Sequence, residues 1–312
     1  MSGIRIYACG GTGIGIVKKI RNLQPVKSAA VPKIVYCDTS ESDMLTGYEK
    51  EDKFIIANVD GAGKLQKEHA LDIRNAVPDL INKFTPESLN IIVASSSGGT
   101  GSTFAIELSK ALLAEGYPTI IQLVTTSEDA RATRNTIQTL KHLSFISGKM
   151  GIPILLNIVN QESASDEEYS DDTVIERLAA LLVLGGGQNV GLDTRDIANF
   201  VYFNRVTEVP PRLLSLDISY GDSMGKAFDG CEIVTLVESI PAGGVPCNLD
   251  SLYRASGHGT GDIRITMFTH GGTFEHIIAD LEARLSHLNE LTTRLTAPAI
   301  DTGSESGDDF YG

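Results

Sequence analysis

Three times within the first 113 residues an apolar, strand-like run feeds a glycine-rich turn that opens an amphipathic, helix-patterned segment. Ile4 to Ala8 leads into Cys9-Gly10-Gly11-Thr12-Gly13-Ile14-Gly15 and a helix reaching about Leu23; Phe54 to Val59 leads into Asp60-Gly61-Ala62-Gly63-Lys64 and a helix from about Leu65 to Phe84. Asn90 to Val93 leads into Ala94-Ser95-Ser96-Ser97-Gly98-Gly99-Thr100-Gly101-Ser102-Thr103 and a helix over Phe104 to Leu113. Repeated strand, tight turn and helix is the grammar of a parallel sheet covered by helices. The third turn constrains the chain most. A buried strand ending in glycines and hydroxyls at a helix start brings backbone N–H groups and the positive helix end onto an anion. Gly98, Gly99 and Gly101 let the main chain approach such a ligand, and Ser97, Thr100 and Ser102 supply hydroxyls. The plain alternative is a serine–glycine surface turn, glycine and serine being common turn residues.

The first turn, taken alone, suggests a dinucleotide-binding unit, with Asp38 after Lys33-Ile34-Val35-Tyr36-Cys37 as its ribose-binding acid. The glycine spacing breaks that fingerprint: the third glycine falls on Ile16 or Lys18, depending on the starting glycine. No G-x-x-x-x-G-K-[ST] pattern surrounds Lys64, which excludes a Walker-type P-loop.

Further on, Thr119 to Val124 and Pro153 to Val159 read as buried strands. Thr125-Thr126-Ser127-Glu128-Asp129 supplies cap oxygens for a helix from Ala130 to about Ser147, on which Arg131 and Arg134 lie one turn apart. Asn160-Gln161-Glu162-Ser163 begins an acidic loop to Asp172. Thr173 to Leu184 leaves hardly any polar face and predicts a helix buried on most sides, stopped by Gly185-Gly186-Gly187. Asp193 and Asp196 then stand three apart at the mouth of another helix, a spacing that suits an N-cap and its third-position partner. The remainder changes character. Strand-like runs at Glu232 to Glu238 and Asp262 to Thr269 flank turn-rich sequence, and a helix from Thr273 to about Leu295 carries an apolar stripe expected to pack on a second sheet. After Pro298 the tail Asp301 to Gly312 is too acidic and polar to fold alone.

Composition excludes several classes. A net charge of −14, from 26 basic and 40 acidic residues, argues against a general nucleic-acid binder. No apolar run is long enough for a membrane span, and no secretory signal opens the chain, so a cytoplasmic protein is expected. Cys9, Cys37, Cys231 and Cys247 lie too far apart for zinc-ligand spacing and read as reduced, buried thiols. At 312 residues two packed units are expected.

The ordered glycine turns, the buried helix and the D-x-x-D pair behind it resemble the tubulin/FtsZ superfamily of GTPases. Ser97-Gly98-Gly99-Thr100-Gly101-Ser102 matches its signature loop, with Thr103 in place of the usual final glycine. The length, the reduced first glycine loop and the acidic tail are most similar to phage-encoded tubulins of the PhuZ type. The resemblance implies a Rossmann-like parallel-sheet GTPase domain over residues 1–172, a central helix and loop over 173–190, a smaller α+β domain over 191–296 and a tail from 297. It implies GTP or GDP with Mg²⁺ as ligands. Gly10, Gly11, Thr12 and Gly13 would form the first nucleotide loop, and Gly61, Ala62 and Gly63 the γ-phosphate sensor. Glu128 would approach the ribose, Arg131 or Arg134 the phosphates, and Asn160 with Asp171 or Asp172 the guanine edge. Ile14 and Gly15 stand where an asparagine often contacts the base, so fewer residues would specify guanine.

The resemblance also gives Asp193 and Asp196 a second role, orienting the attacking water in the pocket of the next subunit of a head-to-tail homopolymer. The tail, through Asp301, Glu305, Asp308, Asp309, Phe310 and Tyr311, is then a polymer contact, with Lys18, Lys19 and Arg21 as one basic patch for it. The phage likeness implies a filament that positions phage DNA or capsid cargo in the host cytoplasm without touching nucleic acid or membrane directly. Two alternatives stand beside this reading: a nicotinamide-dependent oxidoreductase built on the first turn and Asp38, and a filament protein that holds nucleotide without hydrolysing it.

Overall fold

The computed structural model describes residues 3–22, 31–40, 52–56, 70–161, 164–186, 189–221, 232–271 and 273–296. Among them a 10-stranded sheet runs in the order β3-β2-β1-β4-β5-β6-β7-β10-β8-β9. The parallel part comprises β1 (Ile4–Cys9), β2 (Lys33–Asp38), β3 (Lys53–Ile55), β4 (Leu89–Ser95), β5 (Thr119–Thr126) and β6 (Ile154–Gln161). β1 and β4 to β6 carry near-continuous runs of buried residues, as expected of parallel strands covered on both faces. β7 (Leu213–Tyr220) pairs parallel to β6 through three residues and hands the sheet to the antiparallel β10 (Ile265–His270), then β8 (Ile233–Ile240) and the edge strand β9 (Tyr253–His258).

Strand order reverses direction between β1 and β4. From β1 the chain steps outward to β2, whereas from β4 it steps the other way to β5 and β6. Loops leaving the carboxyl ends at such a switch point open a crevice, the preferred ligand position in this class of sheet.

The helices are α1 (Gly10–Asn22), α2 (Ala70–Lys83), α3 (Thr100–Ala114), α4 (Ala130–Met150), α5 (Glu167–Gly185), α6 (Thr194–Val201) and α7 (Thr273–Thr296). α5 is the buried helix expected from its apolar run: Val174, Leu178, Leu181 and Leu184 are at most 1% exposed. It packs against α1, β5 and β6 on the parallel side and β8 on the antiparallel side.

Several expectations need correction. The first glycine turn has no length of its own, because α1 begins at Gly10, whose φ of 69° turns the chain straight from strand into helix. Gly11, Thr12 and Gly13 are therefore first-turn residues. α5 starts at Glu167 rather than Thr173, which moves Asp171 and Asp172 from a loop into its second turn. The acids there favour a helix start, since Glu167 and Glu168 face the positive end of the dipole. α4 continues through Gly148 to Met150 and stops at Gly151, left-handed at φ 63°. β7 and β9 are additional strands. α7 lies along α4 rather than on the antiparallel strands, and its stripe ends outside the body, with Leu291 39% and Leu295 85% exposed. Cys9, Cys37 and Cys247 are buried thiols, and Cys231 lies outside the described residues. No helix among the described residues is long and apolar enough to cross a membrane.

Candidate functional site

The two glycine turns at the switch point meet backbone to backbone. A Cβ on Gly10 would stand 2.9 Å from the Gly101 nitrogen, and one on Gly101 would stand 2.8 Å from the Cys9 carbonyl oxygen. A Cβ on Gly13 would run into the Val93 carbonyl. Glycine is required at all three because β1 and β4 deliver their loops into one narrow crevice. Gly98 differs: nothing lies within 4 Å of where its Cβ would stand, and its backbone is not left-handed.

The signature turn is braced from below by α4 and from one side by β2. Asn135 Nδ2 donates to Ser97 O (2.9 Å) and Thr139 Oγ1 to Ser96 O (3.0 Å), while Ser96 and Thr136 hydroxyls pair at 3.0 Å. Thr39 and Thr100 hydroxyls pair at 2.9 Å. Ser102 donates back to the carbonyls of Gly98 and Gly99, Thr103 Oγ1 donates to Gly99 O (2.8 Å), and the Ser95 and Ser97 hydroxyls share a hydrogen at 2.8 Å. The hydroxyls expected to reach a ligand thus hold the turn's shape. At the α3 start Gly99 provides no side-chain cap, which leaves first-turn N–H groups as the natural anion donors.

Asp38 is 3% exposed, and its Oδ1 accepts from the backbone N–H of Thr39 (2.6 Å) and Ser40 (3.3 Å). Through these bonds Asp38 holds the backbone of Thr39, whose hydroxyl pairs with Thr100 of the signature turn. Glu128, Arg131 and Arg134 are exposed at the start of α4, with Asp129 capping that helix through Ala132 N (2.7 Å). Exposed Asn160, the penultimate residue of β6, is oriented by the Thr125 hydroxyl (3.1 Å). Asp171 is 7% exposed and paired with Lys19 Nζ at 2.7 Å, whereas Asp172 is exposed. That hydrogen bond raises the Lys19 ammonium above its ordinary pKa. Gly61, Ala62 and Gly63, and the tail residues Asp301, Glu305, Asp308, Asp309, Phe310 and Tyr311, lie outside the described residues.

Asp193 and Asp196 form a complete capping box on α6. Asp193 Oδ1 accepts from the N–H groups of Arg195 (2.7 Å) and Asp196 (3.0 Å), and Asp196 Oδ2 accepts from Asp193 N (3.0 Å). Asp196 Oδ1 also accepts from the Tyr253 hydroxyl (3.0 Å). Burial raises the pKa of that hydroxyl, and the bond to Asp196 adds to the rise. The pair stands far from the glycine turns. Arg177, midway along α5, donates to Ile158 O of β6 (2.7 Å), and at the helix end a Cβ on Gly185 would meet Leu89 and Ile4, the first residues of β4 and β1. The 19 residues of α5 span about 28 Å at 1.5 Å per residue, from the carboxyl edge of the parallel strands to the opposite edge.

The buried Thr39, Asn135, Thr136 and Thr139 escaped the sequence reading. Thr133, Asn135, Thr136 and Thr139 are at most 6% exposed, and this buried polar cluster on α4 is the signal that marks them.

Parallel strands with glycine turns packed at the switch point, and a buried helix crossing to an antiparallel extension that carries an acidic cap, make up a tubulin/FtsZ-like fold. No known family profile matches the chain. Individual proteins do. A phage tubulin-like protein of Pseudomonas phage PhiPA3 is 29% identical over 216 residues, which make up 69% of this chain and 66% of that relative. A protofilament of TubZ from bacteriophage PhiKZ superposes with a TM-score of 0.84 at 22% identity, covering 94% of this chain and 93% of the other. The phage tubulin PhuZ with GDP gives 0.84 at 20% identity and 96% of both chains. The chain thus has the tubulin/FtsZ-like fold and is similar in sequence to tubulin-like proteins that phages encode.

Proposed function

We propose that the chain is a GTPase that binds GTP at the carboxyl edge of its parallel strands, assembles head to tail into filaments, and hydrolyses GTP only where one subunit completes the pocket of the next. The separation of the two ends of α5 carries this reading. The turns suited to phosphate and the acidic pair suited to water lie on opposite edges, too far apart to act within one molecule, yet each end is what its neighbour's end lacks. Support for self-association and for a guanine nucleotide comes from the relatives, one a protofilament and one a GDP complex.

In this reading the N–H groups at Gly98, Gly99 and the start of α3 hold the phosphates, with Gly10 to Gly13 closing the other side. Gly61 to Gly63 sense the γ-phosphate, Glu128 meets the ribose, and Arg131 or Arg134 approaches the phosphates. Asn160 and Asp172 read the base, since Asp171 is occupied by Lys19. Asp193 orients the attacking water through the carboxylate oxygen that its cap does not use, and Asp196, held by the cap and by Tyr253, fixes that geometry. The described residues form no cluster of three or more acidic, histidine or cysteine ligands. Mg²⁺ would therefore arrive with the nucleotide, held by phosphates and water, and neutralise phosphate charge. The acidic tail docks on a neighbour's basic patch, for which Lys18, Lys19 and Arg21 are one candidate even though Lys19 already pairs with Asp171, and the polymer positions phage DNA or capsid cargo in the host cytoplasm.

Complementation tests the shared site. Asp193→Asn keeps a capping side chain but loses the charge; Gly98→Val blocks the phosphate turn. Each should release almost no phosphate alone, and an equal mixture should regain turnover. Wild-type turnover by Asp193→Asn, or a mixture that copelletts and stays inactive, overturns the assignment. Pelleting with GTP, GDP and a slowly hydrolysed analogue separates a hydrolysing polymer from one that only holds nucleotide.

A further inference from the structure

We propose that Arg284, on the C-terminal helix, is a positioning residue for the nucleotide sugar. The proposal rests on the nucleotide reading above and names a residue which that reading does not use. The loop Ser127-Glu128-Asp129 joins β5 to α4 and holds Glu128 exposed at the carboxyl edge. It is fastened at both ends. Asp129 caps α4 through Ala132 N at 2.7 Å, and the carbonyl of Ser127 accepts from Arg284 Nε at 2.6 Å, across 157 positions of sequence. Two residues earlier, Glu282 pairs with Lys141 Nζ at 2.5 Å and seats α7 on α4. Glu128 therefore sits on a short bridge, one foot of which is a solvent-exposed, charge-assisted hydrogen bond from α7.

From Arg284 the helix continues to Thr296 and toward the acidic tail. The sugar loop and the segment leading to the polymer contact thus share one hydrogen bond. Losing it frees the Ser127 foot and lets Glu128 drift from the ribose hydroxyls, while the base and phosphate residues stay on their own supports.

The test uses the full chain, diluted below its assembly concentration, with GTP and 2′,3′-dideoxy-GTP compared in equilibrium binding. Wild type should favour GTP by about tenfold, the scale of one hydrogen bond to a charged group. Arg284→Ala should weaken GTP about fivefold and leave dideoxy-GTP unchanged, which also reports an intact fold. Arg284→Lys should recover part of the preference, and Glu128→Ala combined with Arg284→Ala should be no weaker than Glu128→Ala alone. Arg294→Ala, on the same helix but paired with Glu290, should match wild type. Equal weakening of both nucleotides by Arg284→Ala, or unchanged discrimination, overturns the positioning role alone. A wild type that binds neither nucleotide overturns the underlying reading with it, and one that binds both equally overturns the sugar contact.

Discussion

Alanine placed at three glycines of the crevice should separate folding from ligand binding. At Gly101 the new methyl would stand 2.8 Å from the Cys9 oxygen and 3.5 Å from the Ser95 nitrogen, both main-chain atoms of paired strands that cannot rotate away. Overpacking of this kind costs about 1–3 kcal/mol. Gly10→Ala meets the Gly101 nitrogen at 2.9 Å and also places a side chain at φ 69°; the left-handed conformation adds about 1–2 kcal/mol, for a total near 2–5 kcal/mol. Gly98→Ala meets nothing within 4 Å in an ordinary backbone conformation. It should stabilise the free protein by about 0.4–1 kcal/mol through a less flexible unfolded chain. In the proposed site the same methyl lies in the path of the phosphates, so nucleotide affinity should fall at least about tenfold, or roughly 1.4 kcal/mol. Urea unfolding with and without GDP reads both effects, because a ligand bound to the native state raises the midpoint. Gly98→Ala should start slightly above wild type and gain little from GDP; Gly101→Ala and Gly10→Ala should start well below. The reasoning is refuted if Gly98→Ala unfolds as early as Gly101→Ala, or if it gains as much from GDP as wild type.

Asp193→Ala should lose about 0.5–2 kcal/mol in thermal or urea unfolding through the missing cap, whereas Asp193→Asn should not; both should stop turnover and give over-stable filaments by light scattering. Leu181→Ala, at a fully buried position in α5, should cost about 2–5 kcal/mol by urea unfolding. Lys19→Met should cost less than about 1 kcal/mol, since the lysine is half exposed. Because the folded pKa of Lys19 is raised, that difference should be constant at neutral pH and shrink only as pH climbs past 10.5. A chain ending at Pro298 should assemble with a higher critical concentration; an unchanged value makes the tail a solvated end.

Much of the parallel half was legible because glycine had to appear wherever two strands delivered their loops into one crevice. Gly10, Gly98 and Gly101 were visible as turn residues, but their difference in role was not. It depends on Gly10 and Gly101 touching across 91 positions, a contact that no local pattern encodes. The buried face of α5 was plain from Leu178 to Leu184, while its first turn hid in an acidic stretch that also suits a loop. β7 carries a period-two alternation of Leu214, Leu216 and Ile218 with Ser215, Asp217 and Ser219. β9 is diluted by Gly257, required where a Cβ would come within 2.8 Å of the Leu192 side chain. The D-x-x-D spacing predicted a cap, and the capping box is present. That it stands on the opposite edge from the glycine turns follows only from the path of α5.

That path has a geometric consequence for any polymer built from this chain. A helix whose C-terminal half is buried cannot lengthen gradually, since one inserted residue moves everything beyond it by about 1.5 Å and turns it by about 100°. Such an insertion in α5 would swing Leu181 and Leu184 out of the core and aim the acidic cap at a different point on the neighbour. α5 is thus a ruler with coarse divisions. In the proposed polymer the axial offset between the glycine turns and the acidic cap would be fixed inside each subunit before any two meet.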